Sequence, residues 1–131
     1  MGMFNQLFSN KNSKSDQSGN ELPWIPLQSR DTLDEIAEKS ASRTQVIFKH
    51  STRCGISRMA LRMFETEKLG SGLAADFYFL DLLANRNVSD AVAQKFGVAH
   101  QSPQLIVIRN GEVVTHTSHG DIAELPLEKY V

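Results

Sequence analysis

Residues 44–64 read TQVIFKHSTRCGISRMALRMF, and the hydrophobic period changes in the middle of that stretch. Thr44–Lys49 is β-branched and apolar, the composition of a buried strand. From Gly55 onward, Ile56, Met59, Ala60, Met63 and Phe64 recur at i, i+3, i+4, i+7 and i+8. That spacing predicts a helix over Gly55–Leu69 with these five side chains on one face and Gly70 at its C-terminal cap. The only cysteine of the chain, Cys54, sits at the elbow between strand and helix.

Upstream, Trp24–Leu27 contains Pro26 and reads as at most a short edge strand. Asp31 or Thr32 is expected to cap a helix with Leu33, Ile36 and Ala37 on its apolar face and Asp34 and Glu35 in its first turns. Residues 9–20 contain no apolar side chain, so residues 1–20 are expected to form a flexible extension and 21–131 the domain. Phe4, Leu7 and Phe8 have helical spacing within that extension. Downstream, residues 75–81 form a second buried strand, and Val88, Ala91, Val92 and Phe96 mark a helix that stops at Gly97. Gln104–Arg109 and Glu112–His116 flank Asn110-Gly111, the pair most favoured in a two-residue hairpin turn. A short helix from Asp121 is interrupted at Pro126. Strands alternating with helices imply parallel pairing through crossovers, and the hairpin adds an antiparallel edge. The fold class is therefore α/β, a three-layer α/β/α sandwich around a mixed central sheet.

At 131 residues the chain has room for one core. Its 14 basic and 15 acidic side chains leave no net basic footprint for a nucleic acid or a membrane surface. No apolar run approaches the roughly 18 residues of a membrane span. The start, MGMFNQLFSNK, lacks a basic n-region, and Gln6 stands where a myristoylation motif wants Ser or Thr. A lone cysteine excludes an intrachain disulfide, a Cys-rich zinc site and iron–sulfur ligation, and the simplest placement is cytoplasmic and reduced. The four histidines, His50, His100, His116 and His119, lack an HExxH pattern, so no metal site is expected.

The first turn of a helix exposes unpaired N–H groups and the positive end of the dipole, and both favour a thiolate at Cys54. Charge agrees: no Asp or Glu occurs from Lys39 to Phe64, whereas Lys39, Arg43, Lys49, Arg53, Arg58 and Arg62 all fall there. Arg53 and Arg58 flank the cysteine and suit an anionic thiol substrate. Ser57 takes the place of the second cysteine of a C-x-x-C pair, so a mixed disulfide on Cys54 has no internal resolving thiol. Its hydroxyl has two candidate partners, the Cys54 sulfur and the local backbone.

Phe96-Gly97-Val98, then Ser102-Pro103-Gln104, the strand LIVIR and the Asn-Gly turn have the layout of a proline loop feeding an antiparallel strand. With the strand–Cys–helix unit, this layout resembles thioredoxin-like proteins over about residues 22–125. FKHSTRCGIS (48–57), SRMALRMFE (57–65), AHQSPQ (99–104) and SHGDI (118–122) are together similar to the bacterial YtxJ family, monothiol bacilliredoxin-like proteins of the bacillithiol system. The resemblance implies a thioredoxin-like fold in which Cys54, aided by Ser57, removes bacillithiol from S-thiolated proteins. It implies a cis Pro103, with Ser102 pairing main chain to main chain with the bound thiol. Substrate contacts are then expected from Thr52, Arg53, Gly55, Arg58, His100, Ser102 and Pro103, with His119 also in a matching stretch. No tightly bound cofactor is implied; a low-molecular-weight thiol, bacillithiol or similar, is the co-substrate, and the partners are S-thiolated client proteins and a reductase. One departure stands out: many members have Pro after the cysteine, where this chain has Gly55. That change removes a preset backbone angle at the helix start.

Three rival readings compete. Ser51-x-x-Cys54 echoes part of a one-Cys peroxide-reducing site, but Ile47 occupies the place where that motif has proline. A non-catalytic thioredoxin-like binding module would keep the fold and lose turnover. A cysteine hydrolase using Cys54 and His100 lacks an orienting partner and a recognisable oxyanion donor.

Overall fold

The computed structural model describes residues 24–68 and 72–131. The extension expected over residues 1–20, the first residues of the domain and the Gly70 cap lie outside the described residues. In chain order the elements are β1 (Trp24–Pro26), α1 (Asp31–Lys39), β2 (Thr44–His50), α2 (Gly55–Glu67), β3 (Ala75–Asp81), α3 (Arg86–Phe96), β4 (Gln104–Arg109) and β5 (Glu112–Ser118), followed by short 3₁₀ turns at His119–Ile122 and Leu127–Tyr130. The sheet order is β1-β3-β2-β4-β5. β3 pairs parallel with both β1 and β2, while β4 pairs antiparallel with β2 and β5. The expected mixed sheet is present, and the Asn-Gly turn closes the β4–β5 hairpin with φ of 56° at Asn110 and 77° at Gly111. Positive φ at both central residues is the turn geometry that matches strand twist.

β2 is central and buried along its whole length. Successive side chains alternate faces. Val46 and Phe48 join Ala60 and Phe64 of α2, Phe77, Leu105, Val107 and the C-terminal Ile122 and Leu127 in one core. Ile47 joins Leu33 and Ile36 of α1, Val88 and Val92 of α3, Tyr78, Leu80, Ile106 and Ile108 in the other. Trp24 stacks near Phe48, Phe64, Phe77 and Phe79, and its Nε1–H donates to the Glu65 carboxylate at 2.8 Å. Among the described residues no helix is long and apolar enough to cross a membrane.

Three expectations are corrected. α1 has Arg30 at its N-cap, and neither Asp31 nor Thr32 caps it; the Ser29 hydroxyl accepts the Asp31 N–H instead. β5 continues to Ser118, past the expected end at His116, because it pairs with β4 as far as Gln104. On α2, Ala60 and Phe64 are buried, but Ile56, Met59 and Met63 are 58%, 66% and 42% exposed. The five apolar positions sweep roughly 140° of the helix at about 100° per residue, wider than one contact with a sheet covers. Ser57 is fully buried beside Ala60 and Phe64, so the contact is centred near Phe64, at one edge of the apolar arc.

Candidate active site

β2 ends at His50, whose carbonyl accepts the Leu82 N–H at 3.0 Å. The chain then turns through 51–54. The Cys54 N–H donates to the Ser51 carbonyl, and the Arg53 N–H to the Ser51 hydroxyl. Cys54 is the N-cap of α2, with extended backbone (φ −110°, ψ 119°), and its carbonyl accepts the first helical bond from Arg58. A thiol is a poor cap acceptor, and the Cys54 side chain makes no hydrogen bond among the described residues. It is half-buried, beside a first helical turn free of acidic side chains.

The basic residues expected near Cys54 are both exposed and differ in use. Arg58 folds back so that Nη1 donates to the Thr52 carbonyl at 3.2 Å, and a Cβ on Gly55 would lie 3.8 Å from Nη2. Arg53 and Thr52 form one wall of a shallow cleft of about 340 Å³ whose other wall is Asp81, Leu83, Ala84 and Arg86. No acid lies within ion-pair distance of Arg53, Arg58 or Arg86 among the described residues.

Of its two candidate partners, Ser57 meets the backbone and not the sulfur, and it adds a side-chain partner that the sequence does not indicate. Its hydroxyl accepts the Ser51 N–H at 3.0 Å and lies 2.8 Å from His50 Nδ1. The group placed in the second-cysteine position is thus tied to the end of β2 and the start of the loop, and does not bond the Cys54 sulfur. Burial holds the His50 imidazole below the ordinary histidine range, against the opposing charge of Asp81.

The register of β2 and β4 sets Lys49 opposite Gln104, which brings the loop before β4 alongside the loop that carries Cys54. The Ser102–Pro103 peptide is cis. Pro103 is buried, and its carbonyl accepts the His119 N–H at 3.1 Å. The Gln104 side chain shapes the loop by donating to the Ala99 carbonyl and accepting from the Gln101 N–H. The Ser102 hydroxyl is buried and has no partner among the described residues. His100 is exposed, and its Nδ1 lies 3.3 Å from Lys49 Nζ and 3.4 Å from Ser89 Oγ. His119 is exposed on the 3₁₀ turn that packs on α2, with φ of 56°. No three His, Cys, Asp or Glu side chains converge as metal ligands among the described residues.

Sequence reasoning missed the polar cluster of Lys49, Ser89 and His100. The signal was present: a lysine inside an apolar strand that crossovers cover on both faces has to be buried. The Ser57–His50 bond has no such signal, because the candidate partners of Ser57 in the sequence are the cysteine and the local backbone, and neither points to the imidazole.

The family described as the monothiol bacilliredoxin BrxC matches residues 25–127. Among solved structures, the chain is 34% identical to a thioredoxin-fold protein to which oxidoreductase activity has been ascribed, covering 76% of this chain and 86% of that one with a TM-score of 0.67. Thioredoxin from Schistosoma mansoni matches at 23% identity over 82% of this chain and 95% of its own, TM-score 0.65. The Nicotiana alata thioredoxin NaTrxh matches at 20% over 86% and 96%, TM-score 0.67. The last two show the thioredoxin fold.

Proposed function

The chain belongs to the monothiol bacilliredoxin family, and from that premise we propose that it removes a low-molecular-weight thiol, bacillithiol in the leading case, from S-thiolated proteins. The coarser statement, a thiol–disulfide oxidoreductase, rests on the family and the thioredoxin fold together. The observation that carries the finer reading is Cys54, alone in the sequence and at the N-cap of α2.

The chemistry needs one thiolate. Cys54 Sγ attacks the small-thiol sulfur of a client–S–S–R disulfide, the client sulfur leaves as a thiolate and takes up a proton, and Cys54–S–S–R remains. A second R–SH, as its thiolate, attacks the R sulfur of that disulfide, giving R–S–S–R and restoring the Cys54 thiolate. R–S–S–R is then reduced by a separate reductase. With Ser57 in place of a second cysteine, the helix supplies no competing internal attack. In this reading Ser57 holds the 51–54 loop, and the Ser102–Pro103 backbone receives the disulfide. Thr52, Arg53, Gly55, Arg58 and His100 surround the small thiol. No cofactor is tightly bound, and the reaction is cytoplasmic.

Intact mass spectrometry tests the proposal. A client S-thiolated in turn with bacillithiol, glutathione and coenzyme A is mixed with the protein. The expected result is client release with the small-thiol mass transferred to Cys54, fastest for bacillithiol. No transfer beyond that of a Cys54→Ala variant would overturn it.

A further inference from the structure

Lys49 is the least expected group in the molecule. Its side chain is completely buried, yet no carboxylate of the described residues lies within ion-pair distance. Lysines are almost never fully buried without a paired charge. Its Nζ instead meets the Ser89 carbonyl at 3.3 Å and His100 Nδ1 at 3.3 Å. An ammonium has three donors and no acceptor, so the second contact is a hydrogen bond only if Nδ1 carries a lone pair. The Ser89 hydroxyl, 3.4 Å from the same nitrogen, is able to donate to it as well. A neutral imidazole with Nδ1 accepting must carry its proton on Nε2.

We infer that Lys49 is a positioning residue that locks His100 as the neutral Nε2–H tautomer, so that His100 meets the bound disulfide as a hydrogen-bond donor and not as a proton acceptor. Its bearing on the disulfide rests on the oxidoreductase reading; the tautomer does not. Three observations support the assignment: His100 is the exposed member of the cluster, it precedes the Ser102–Pro103 turn, and Lys49 lies on the strand that leads to Cys54. The charges acting on the pair agree. Burial disfavours a positive charge on His100, the Lys49 ammonium acts in the same direction, and Asp90 on α3 is the opposing carboxylate for both groups. A histidine fixed in this way keeps one hydrogen-bonding role across the pH range in which a free imidazole, near 6.5, would change its own.

Long-range ¹H–¹⁵N NMR of the full chain reads the tautomer directly, with His100 identified by the signal lost in His100→Gln. The expected wild-type spectrum shows the neutral Nε2–H form, with no midpoint near 6.5. A wild-type His100 that is Nδ1-protonated, or that titrates near 6.5, would overturn the inference without any variant. Lys49→Met should convert His100 to a tautomer mixture with a midpoint raised from that of wild type, and an unchanged His100 spectrum in that variant would also overturn it. The functional arm follows dethiolation of a glutathionylated peptide from pH 5.5 to 7.5. The Lys49→Met to wild-type rate ratio should change by about 2- to 10-fold across this range, the worth of one hydrogen bond. In a His100→Gln background the pH dependence of that ratio should vanish. A ratio uniform in pH would reduce Lys49 to a structural role and overturn the proposal. Because the NMR arm needs no turnover, it still reports on Lys49 if dethiolation itself is absent.

Discussion

Ser57 Oγ lies 2.8 Å from His50 Nδ1 and accepts the Ser51 N–H, so a hydroxyl of the first turn of α2 ties the active-site loop to the end of β2. All three residues are buried or half-buried. Removing the hydroxyl leaves the Ser51 N–H and His50 Nδ1 without this partner, which costs about 1–3 kcal/mol. Ser57→Ala should therefore lower the unfolding free energy measured in urea by that amount. Its rate of small-thiol transfer, scaled to folded protein, should stay within severalfold of wild type, since the hydroxyl does not bond the sulfur. A loss as large as that of Cys54→Ala would mean that Ser57 acts on the reacting atoms.

The orientation of α2 gives a paired prediction. Phe64 is fully buried among Trp24, Phe48 and Phe77, with ring centroids about 6 Å away, whereas Met59 is 66% exposed. Phe64→Ala should cost about 3–5 kcal/mol through the cavity it leaves. Met59→Ser should stay within about 0.5 kcal/mol, as surface changes do. Chemical denaturation of both variants checks this. A Met59→Ser cost near that of Phe64→Ala would restore the five-residue apolar face read from periodicity.

The mixed sheet and helix order were legible because β2, β3 and β4 are continuous apolar runs, and Asn110-Gly111 admits few turn types. Cys54 was legible as the only thiol at a strand-to-helix elbow. The choice between Phe64 and Met59 as core was not, because periodicity reports an arc and the sheet decides which part of it is covered. Nor was the fate of the Ser57 hydroxyl: its partner His50 is seven residues earlier, on a different element, and only the fold brings the two side chains together. The Lys49–His100 contact, across 51 residues of sequence, depends likewise on the β2–β4 register.

Gly55 is the first residue of α2, and Cys54 before it is extended, the backbone that a following proline requires. A Cβ at Gly55 would make only ordinary contact with the Arg58 guanidinium. Gly55→Pro should accordingly fold normally and gain about 0.4–1 kcal/mol by restricting the unfolded chain. Thermal denaturation of the two forms measures the gain. Destabilisation instead would show that the glycine supplies a backbone freedom the helix start uses.

Lys49 should lower stability at neutral pH. Burial pushes its ammonium from 10.5 down to about 8, against the attraction of Asp90. The folded value lies below the unfolded one, so between about pH 8 and 10.5 the unfolded chain binds more protons and stability rises with pH. Below about pH 8 both states are protonated and the penalty is present in full, about 3 kcal/mol at most. Lys49→Met removes the charge while nearly keeping the shape, and should stabilise the protein by about 1–3 kcal/mol at pH 7. Its advantage should shrink by pH 9.5, where the wild-type lysine is largely neutral. Urea denaturation of both proteins at pH 7 and 9.5 measures the difference. If Lys49→Met were less stable at pH 7, its contacts with Ser89 and His100 would outweigh the burial of its charge, and a cost in stability could not be the mark of a group kept for its effect on His100.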